Sequence, residues 1–357
     1  MMINYAVVGV GWISQQAFLP GVVQSGNSRV AAIVTGDRPK AARLADFYGI
    51  GKVVGYDGYD ALLDDPGIDA VYIALPNHMH ADFAIRAARA GKHVMVEKPL
   101  AVSADEGLAM IAAARSANVF LMTAYRLHNE PGTIAVLEHI RANTIGRPLF
   151  FQSLFSFQAS PGNHRLQATA WGGPLQDVGV YCINAARHIF GEEPIEATAT
   201  AHRPVDDPRF GEVDASVAAT LRFPSGGLAQ FVASFGAAAV DNYRVVGTSG
   251  DLELDPGFRF EAATRLRLRR DGKMTETQFP QIDHFGAQVA YFSDCIKSRT
   301  PPEADGDEGL ADMRALLAIE RAASTGLPQA ISVHPRSRHP TPDMVRLTPV
   351  TDRRLVL

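Results

Sequence analysis

Tyr5-Ala-Val-Val-Gly9-Val-Gly11-Trp-Ile-Ser14 is the stretch on which the fold turns. A short β-branched run ends in two glycines one residue apart, and the residues beyond them suit a helix. Glycines at that point let the chain turn sharply from strand to helix and let backbone N–H groups approach a pyrophosphate at the helix N-terminus. Ser14 stands where the third Gly or Ala of a G-x-G-x-x-G pattern is usual, so slightly looser helix–strand packing is expected. A glycine pair in a βα turn needs no ligand, and its meaning depends on the surrounding chain.

Outward from this turn, strand-like and helix-like segments alternate. Apolar runs at 5–8, 30–34, 70–74, 93–96 and 119–122 are separated by Ala-rich stretches such as 81–90 and 104–117. That rhythm predicts βαβ units and a doubly wound parallel sheet, and strands covered on both faces explain why the runs are apolar throughout. Past about residue 125 the texture changes. A helix is predicted over 131–143, then a strand at Leu149-Phe-Phe, and an Ala-rich helix over 178–190. From 195 to 270 the apolar/polar alternation has period two, with turn signals at Pro224-Ser-Gly-Gly and Thr248-Ser-Gly-Asp, which predicts a large, mostly antiparallel open sheet with one wet face. Two further helices are expected near 284–298 and 306–325. The fold class is therefore α/β plus α+β: a dinucleotide-binding domain over 1–124, an α+β substrate and oligomerisation domain over 125–335 with its late helices returning to the first, and a tail over 336–357.

The chain has 357 residues, with 34 Lys and Arg against 38 Asp and Glu, a net charge of −4. No basic excess is available for a nucleic-acid backbone. Only Cys182 and Cys295 occur, too few for a disulfide framework or a four-thiolate zinc site. No apolar run approaches the ~20 residues that span a bilayer, and the first residues do not read as a secretion signal, so no membrane and a cytoplasmic location are expected.

Three loops at strand ends carry the chemistry. After the second strand, Thr35-Gly36-Asp37-Arg38-Pro39-Lys40 has no acidic residue at the usual ribose position and two nearby cations, which favours a 2′-phosphate and hence NADP over NAD. Asp37 is the residue that argues the other way. Leu75-Pro76-Asn77-His78-Met79-His80 and Val96-Glu97-Lys98-Pro99 both follow parallel strands, where open α/β sheets bind ligands. His78 and His80 lack a third ligand at a recognised spacing, and no metal is expected.

With Glu97-Lys98-Pro99 the chain resembles the glucose-fructose oxidoreductase, inositol dehydrogenase and rhizopine-catabolism family (Gfo/Idh/MocA). The resemblance covers about residues 3 to 332 and rests on the glycine turn, the Pro76-Asn77 turn with its histidines, and Glu97-Lys98-Pro99. At the family's Asp-x-x-x-His this chain reads Asp177-Val-Gly-Val-Tyr181, which is similar to the glucose-fructose oxidoreductase branch, as are Ala124-Tyr125-Arg126-Leu-His128-Asn-Glu130-Pro131 and Gly191-Glu-Glu-Pro194. The resemblance implies cofactor contacts from Gly9, Gly11, Trp12, Ile13, Ser14, Thr35, Gly36, Arg38, Lys40, Leu75, Pro76, Asn77, His80, Glu97, Lys98 and Arg126. It implies catalysis by Lys98, Asp177 and Tyr181. The branch's cofactor-wrapping N-terminal arm is not read here, so ordinary cofactor exchange is expected.

Hydride transfer from a sugar carbon needs a group that exchanges the hydroxyl proton and a neighbour that polarises the same oxygen. Asp177 and Tyr181 are spaced i, i+4, which places both on one face of a helix. Tyrosine ordinarily titrates near 10, and a lysine ammonium beside it would favour the phenolate. Tyr181 is thus read as the proton-transfer group, with Lys98 assisting and Asp177 orienting the sugar. Arg126, His128, Arg165 and Trp171 are further sugar-site candidates, with His164 and Asn184 behind them, and Asp283 and His284 weaker still. The expected function is hydride transfer between NAD(P), with NADP favoured, and a carbon of a cyclic sugar or polyol, as in an aldose 1-dehydrogenase or sugar reductase. The alternatives are a sugar dismutase on retained NADP and a nicotinamide-binding sensor without turnover. A homodimer or homotetramer through the open sheet is expected.

Overall fold

The computed structural model describes residues 1–350 and 353–357. The chain divides into two compact units: Met1–Asn129 with Ile282–Leu310 and Asp343–Leu357, and Glu130–Gln281 with Ala311–Pro342.

The first unit is built on six parallel strands, β1 (Ile3–Val8), β2 (Ser28–Val34), β3 (Lys52–Val54), β4 (Ala70–Ile73), β5 (His93–Val96) and β6 (Leu121–Thr123), in the order β3-β2-β1-β4-β5-β6. The strand order reverses between β1 and β4, the place where open α/β sheets bind ligands at the carboxyl ends of their strands. Every residue of β4 is buried, as the unbroken apolar run requires. Fully buried Val7, Ile33 and Ile73 each contribute about 1.5–3 kcal/mol of apolar burial. The ring of Phe18 stacks on Tyr72 at 3.6 Å between centroids and meets Tyr5 edge-on at 6.0 Å. Helix His284–Ser298 joins this unit through a hydroxyl chain in which Ser293 Oγ lies 2.8 Å from Tyr5 Oη and 2.7 Å from Ser28 Oγ. It crosses the first helix so closely that a Cβ on Gly21 would sit 2.7 Å from the Gly286 nitrogen.

The second unit holds a nine-stranded sheet of β7 (Pro148–Gln158), β8 (Glu196–His202), β9 (Ser216–Arg222), β10 (Leu228–Ser234), β11 (Gly236–Gly247), β12 (Gly250–Asp255), β13 (Thr264–Arg270), β14 (Lys273–Phe279) and β15 (Gln329–Ala330), in the order β14-β13-β12-β11-β7-β10-β9-β8-β15. All neighbours are antiparallel except β7 and β10. One face is the core, with Phe151, Leu221, Phe231, Val245, Leu252 and Leu266 buried. Helix Pro131–Arg141 packs on this face and is capped by Glu130, whose carboxylate accepts from Gly132 N (2.8 Å), Thr133 N (2.5 Å) and Thr264 Oγ1 (3.0 Å). The other face leaves Phe150, Gln152, Gln230, Val232 and Arg244 exposed.

The strands and helices lie within a few residues of their predicted places, with four differences. β3, β14 and β15 are additional to the expected strands: β3 and β15 are too short to show a period, and β14 is polar on both sides, with almost every residue exposed. The helix expected from 178 starts at Pro174, because its first turn is π-helical over Leu175–Gly179. The division between units falls after Asn129 instead of 124. Of the expected tail, Asp343–Leu357 belongs to the first unit, and residues 351 and 352 lie outside the described residues.

Candidate functional site

Gly9 ends β1 with φ +91°, and a Cβ there would lie 2.4 Å from the Ala74 carbonyl oxygen, so only glycine fits against the end of β4. At Gly11 a Cβ would meet nothing within 4 Å, which leaves the outer side of the turn open. The helix that follows starts at Trp12 and passes through a π-helical turn, Ser14–Phe18. Such turns are frequent at functional sites. Ser14 is fully buried, and its hydroxyl donates to the Gly9 carbonyl at 2.7 Å. It therefore holds the turn's backbone, and the looser packing expected at this position is replaced by a hydrogen bond. An open, glycine-only turn at a helix N-terminus fits a pyrophosphate, since the first-turn N–H groups have no intrahelical partner.

At the end of β2, Asp37 is the N-cap of helix Arg38–Tyr48: its carboxylate accepts from Lys40 N at 3.0 Å. That bond and the Lys40 ammonium hold its carboxyl below the usual range. A carboxylate committed to the cap is poorly placed to bind a ribose hydroxyl, which removes the residue that argued for NAD. Thr35 Oγ1 accepts from Asp37 N at 3.2 Å, Gly36 is exposed, and Arg38 pairs with Asp57 at 3.3 Å in the open, where solvent makes such a pair cheap to break.

The loops after β4 and β5 are tied together by His80. Fully buried, it sets Nδ1 2.9 Å from the Pro99 carbonyl and Nε2 2.9 Å from the Leu75 carbonyl. It cannot reach a ligand, and the cofactor contact expected of it becomes a structural tie. Burial lowers its pKa to about 4, against the pull of the carbonyls. Leu75 is also buried, whereas Pro76 and Asn77 remain half-buried. Lys98 is half-buried beside Glu97, whose carboxylate accepts from Tyr72 Oη at 2.6 Å and is pushed upward by burial against the opposing Lys98 charge.

Arg126 and His128, expected at the sugar, are 4% and 2% exposed. Arg126 Nη1 lies 3.3 Å from His284 Nδ1, and His128 Nδ1 lies 2.6 Å from Glu303 Oε2. With its amide oxygen turned toward them, Gln288 accepts from Tyr125 N and Arg126 N. Burial, then the Arg126 charge, pushes His284 well below its ordinary value.

In the second unit the loop before Pro174 is shaped by Gly172 and Gly173. A Cβ on Gly172 would lie 2.3 Å from the Arg165 carbonyl, and Gly173 N donates to that same carbonyl at 2.8 Å. Arg165 Nε thereby sits 3.0 Å from Asp177 Oδ2, inside the π-helical turn. Tyr181 follows four residues on, 8% exposed, with its ring against Phe155 (5.8 Å) and Phe258 (6.3 Å). Trp171 takes a left-handed conformation, φ 50°, and its Nε1 donates to Glu320 Oε1 at 2.9 Å, which Gln176 also engages. Burial raises Glu320 and these two donors lower it. His164 is lowered by burial and by Arg165. Asn184 Nδ2 donates to the buried Asp312, which also takes Arg187 Nη1 at 2.6 Å. Buried Cys182, beside Ser153 Oγ, is pushed up to about 12 and is chemically quiet. A cleft of about 500 Å³ elsewhere in this unit, among His202, Asp207, Phe210, Ser216 and Ser234, contains none of the expected residues.

The family models match in two parts: an oxidoreductase family, NAD-binding Rossmann fold over residues 3–125, and a GFO/IDH/MocA C-terminal domain over residues 133–253. This chain belongs to the Gfo/Idh/MocA oxidoreductase family. Among its members, D-xylose 1-dehydrogenase (NADP(+)) 2 of Haloferax volcanii is 34% identical over 327 residues, 90% of this chain and 98% of that one. A 1,5-anhydro-D-fructose reductase of Ensifer adhaerens is 28% identical over 91% of this chain and 97% of its own. The aldose-aldose oxidoreductase of Caulobacter crescentus, solved with glycerol, superposes with a TM-score of 0.88 at 35% identity, covering 93% of this chain and 100% of that one. A 3-ketoreductase of Actinomadura kijaniata, solved with NADP and TDP-benzene, has a TM-score of 0.83 at 28% identity, covering 90% and 98%. Among the described residues no helix is long and apolar enough to cross a membrane.

Gln15, Gln288, Glu303, Glu320 and Asp312 hold the candidate residues in place and were not singled out in the sequence. None of them belongs to a recognisable motif, and only burial beside its partner reveals it.

Proposed function

We propose that the protein is an NADP-dependent oxidoreductase that oxidises a cyclic aldose at C1 or catalyses the reverse reduction. The observation that carries the cofactor half is Asp37 capping its own helix, with Arg38 and Lys40 beside the end of β2. The substrate half is supported by the likeness to a xylose dehydrogenase and an aldose-aldose oxidoreductase over nine-tenths of the chain.

When bound, NADP supplies the hydride acceptor. The backbone of Gly9 to Ser14 would hold its pyrophosphate, and Thr35, Gly36, Arg38 and Lys40 would bind the adenosine ribose end. Tyr181 Oη takes the proton from the sugar hydroxyl as the C–H bond breaks. Lys98 binds the same oxygen with its ammonium group. Asp177, held by Arg165, accepts from a neighbouring sugar hydroxyl. Trp171 offers its apolar ring face to the sugar, and its indole N–H is anchored on Glu320. Pairs of protomers associate through the exposed face of the nine-stranded sheet.

The test is a matrix of NAD and NADP against a panel of aldoses and polyols, following reduced nicotinamide. Reduction of NADP by an aldose, with kcat/KM at least tenfold above that with NAD, is expected. Turnover with no aldose, or a preference for NAD, rejects the reading. The likeness to an aldose-aldose oxidoreductase supports a second reading, dismutation of two sugars on retained NADP. That reading requires nicotinamide to copurify and turnover to proceed without added cofactor.

A further inference from the structure

The residues after Pro342 lie outside both stretches that the family models match, 3–125 and 133–253, yet they lead back to the glycine turn. Met344 is buried, and the Arg346 guanidinium pairs with the Asp294 carboxylate at 2.6 Å on helix His284–Ser298. The Thr348 carbonyl accepts from the Asp283 N–H at 2.9 Å, where that helix begins. Beyond it, Tyr48 Oη donates to the Arg353 carbonyl at 2.7 Å, and the Arg353 guanidinium lies over the rings of Phe47 and Tyr48 at 5.5 and 5.2 Å. Arg354 Nη1 donates to Gln16 Oε1 at 3.1 Å. Last, the Leu357 N–H donates to Gln15 Oε1 at 2.9 Å.

Gln15 is 2% exposed, and its Nε2 donates to the carbonyl of Val10 at 2.9 Å. Val10 is the residue between Gly9 and Gly11. A single buried amide, 342 positions before residue 357, thus links the backbone of that residue to the backbone of the turn. Gln15 carries three rotatable side-chain bonds, and an amide bonded at one end only is free to swing. The second bond removes that freedom before any ligand arrives, and ordering that is already complete is not charged against binding.

We propose that residues 353–357 form a strap that positions the Gly9–Gly11 turn through Gln15, and so sets how tightly and how long the dinucleotide is held. The strap rests on the reading that this turn holds NADP. Its residues touch no reacting atom and act only by position.

The test compares the full chain with two variants. Leu357→Pro removes the N–H donor, together with a leucine side chain and some freedom of Val356, and deletion of 353–357 removes the strap. NADPH affinity is read by fluorescence titration and its release by stopped flow. The deletion is expected to weaken NADPH binding 3–10-fold and speed its release, with Leu357→Pro showing a smaller shift in the same direction. The kcat at saturating NADP and the KM for aldose stay unchanged. A merely structural contribution would lower the thermal midpoint of the free protein and leave NADPH affinity where it was. Unchanged affinity and release in both variants, or tighter binding after the deletion, overturns the strap alone. Absence of NADPH binding by the full chain overturns both the strap and the reading of the turn.

Discussion

The role proposed for Tyr181 rests on its hydroxyl alone. Its ring lies against Phe155 and Phe258, so removing the oxygen leaves the aromatic packing in place. Tyr181→Phe is expected to lower kcat about 10²–10⁴-fold, the usual weight of a proton-transfer group, with NADP affinity and the thermal midpoint little changed. Turnover within threefold of the parent would exclude Tyr181 as that group. Asp177 shows the reach of spacing arguments. The i, i+4 relation to Tyr181 was visible in the sequence, but the π-helical turn and the pairing with Arg165 were not, because both depend on how Gly172 and Gly173 fold the preceding loop. Arg126 and His128 were legible as polar residues after a strand, whereas their burial against His284 and Glu303 depends on segments 158 and 175 residues away.

At the level of elements, His80 fills the space between the loops after β4 and β5, the second of which carries Lys98, and when neutral it donates to one of the two carbonyls that face it. Its pKa in the fold is about 4 against an ordinary 6.5. With the folded value depressed, the unfolded chain binds the extra proton between these limits, so stability is complete above pH 6.5 and falls as the pH drops toward 4. The loss attributable to this one group approaches about 3 kcal/mol. His80→Gln is expected to flatten the pH dependence of denaturant midpoints between pH 6.5 and 4 by about one proton. The remaining slope is a sum in which His93, His164 and His284, also lowered by burial, act in the same direction, and Glu97, Asp283 and Glu320, raised by burial, act against it. An identical slope in parent and variant would show that His80 is not held neutral. The tie should also make the variant less stable at pH 7, by about 1–3 kcal/mol, since a carbonyl is left unpaired in the interior.

For the whole molecule, the nine-stranded sheet leaves Phe150 and Val232 at 48% and 37% exposure on one face, with charged rungs such as Arg244–Asp251 and Arg269–Glu253 toward the β14 edge. A stable pairing of copies covers roughly 800 Å² per protomer. Light scattering is expected to report a multiple of the 38.4 kDa chain mass, and Phe150→Asp with Val232→Asp to bring it to one copy. A parent protein that scatters as a single copy at micromolar concentration rejects the pairing.

The parallel sheet, the glycine turn, the antiparallel sheet and the choice between helix and strand were all written in local pattern, because periods of two or 3.6 residues and strand-end glycines are short-range consequences of backbone geometry. The family followed from Gly9, Gly11, Glu97, Lys98, Pro99, Asp177 and Tyr181 without any coordinates. What tertiary structure alone decided is which polar residue serves which partner. Asp37 became a helix cap, His80 an internal tie, Trp171 an anchored indole and Gln15 a bridge to residue 357. Burial makes an unpaired polar group costly, and the partner that relieves the cost is chosen by proximity in space, which no local window of sequence contains.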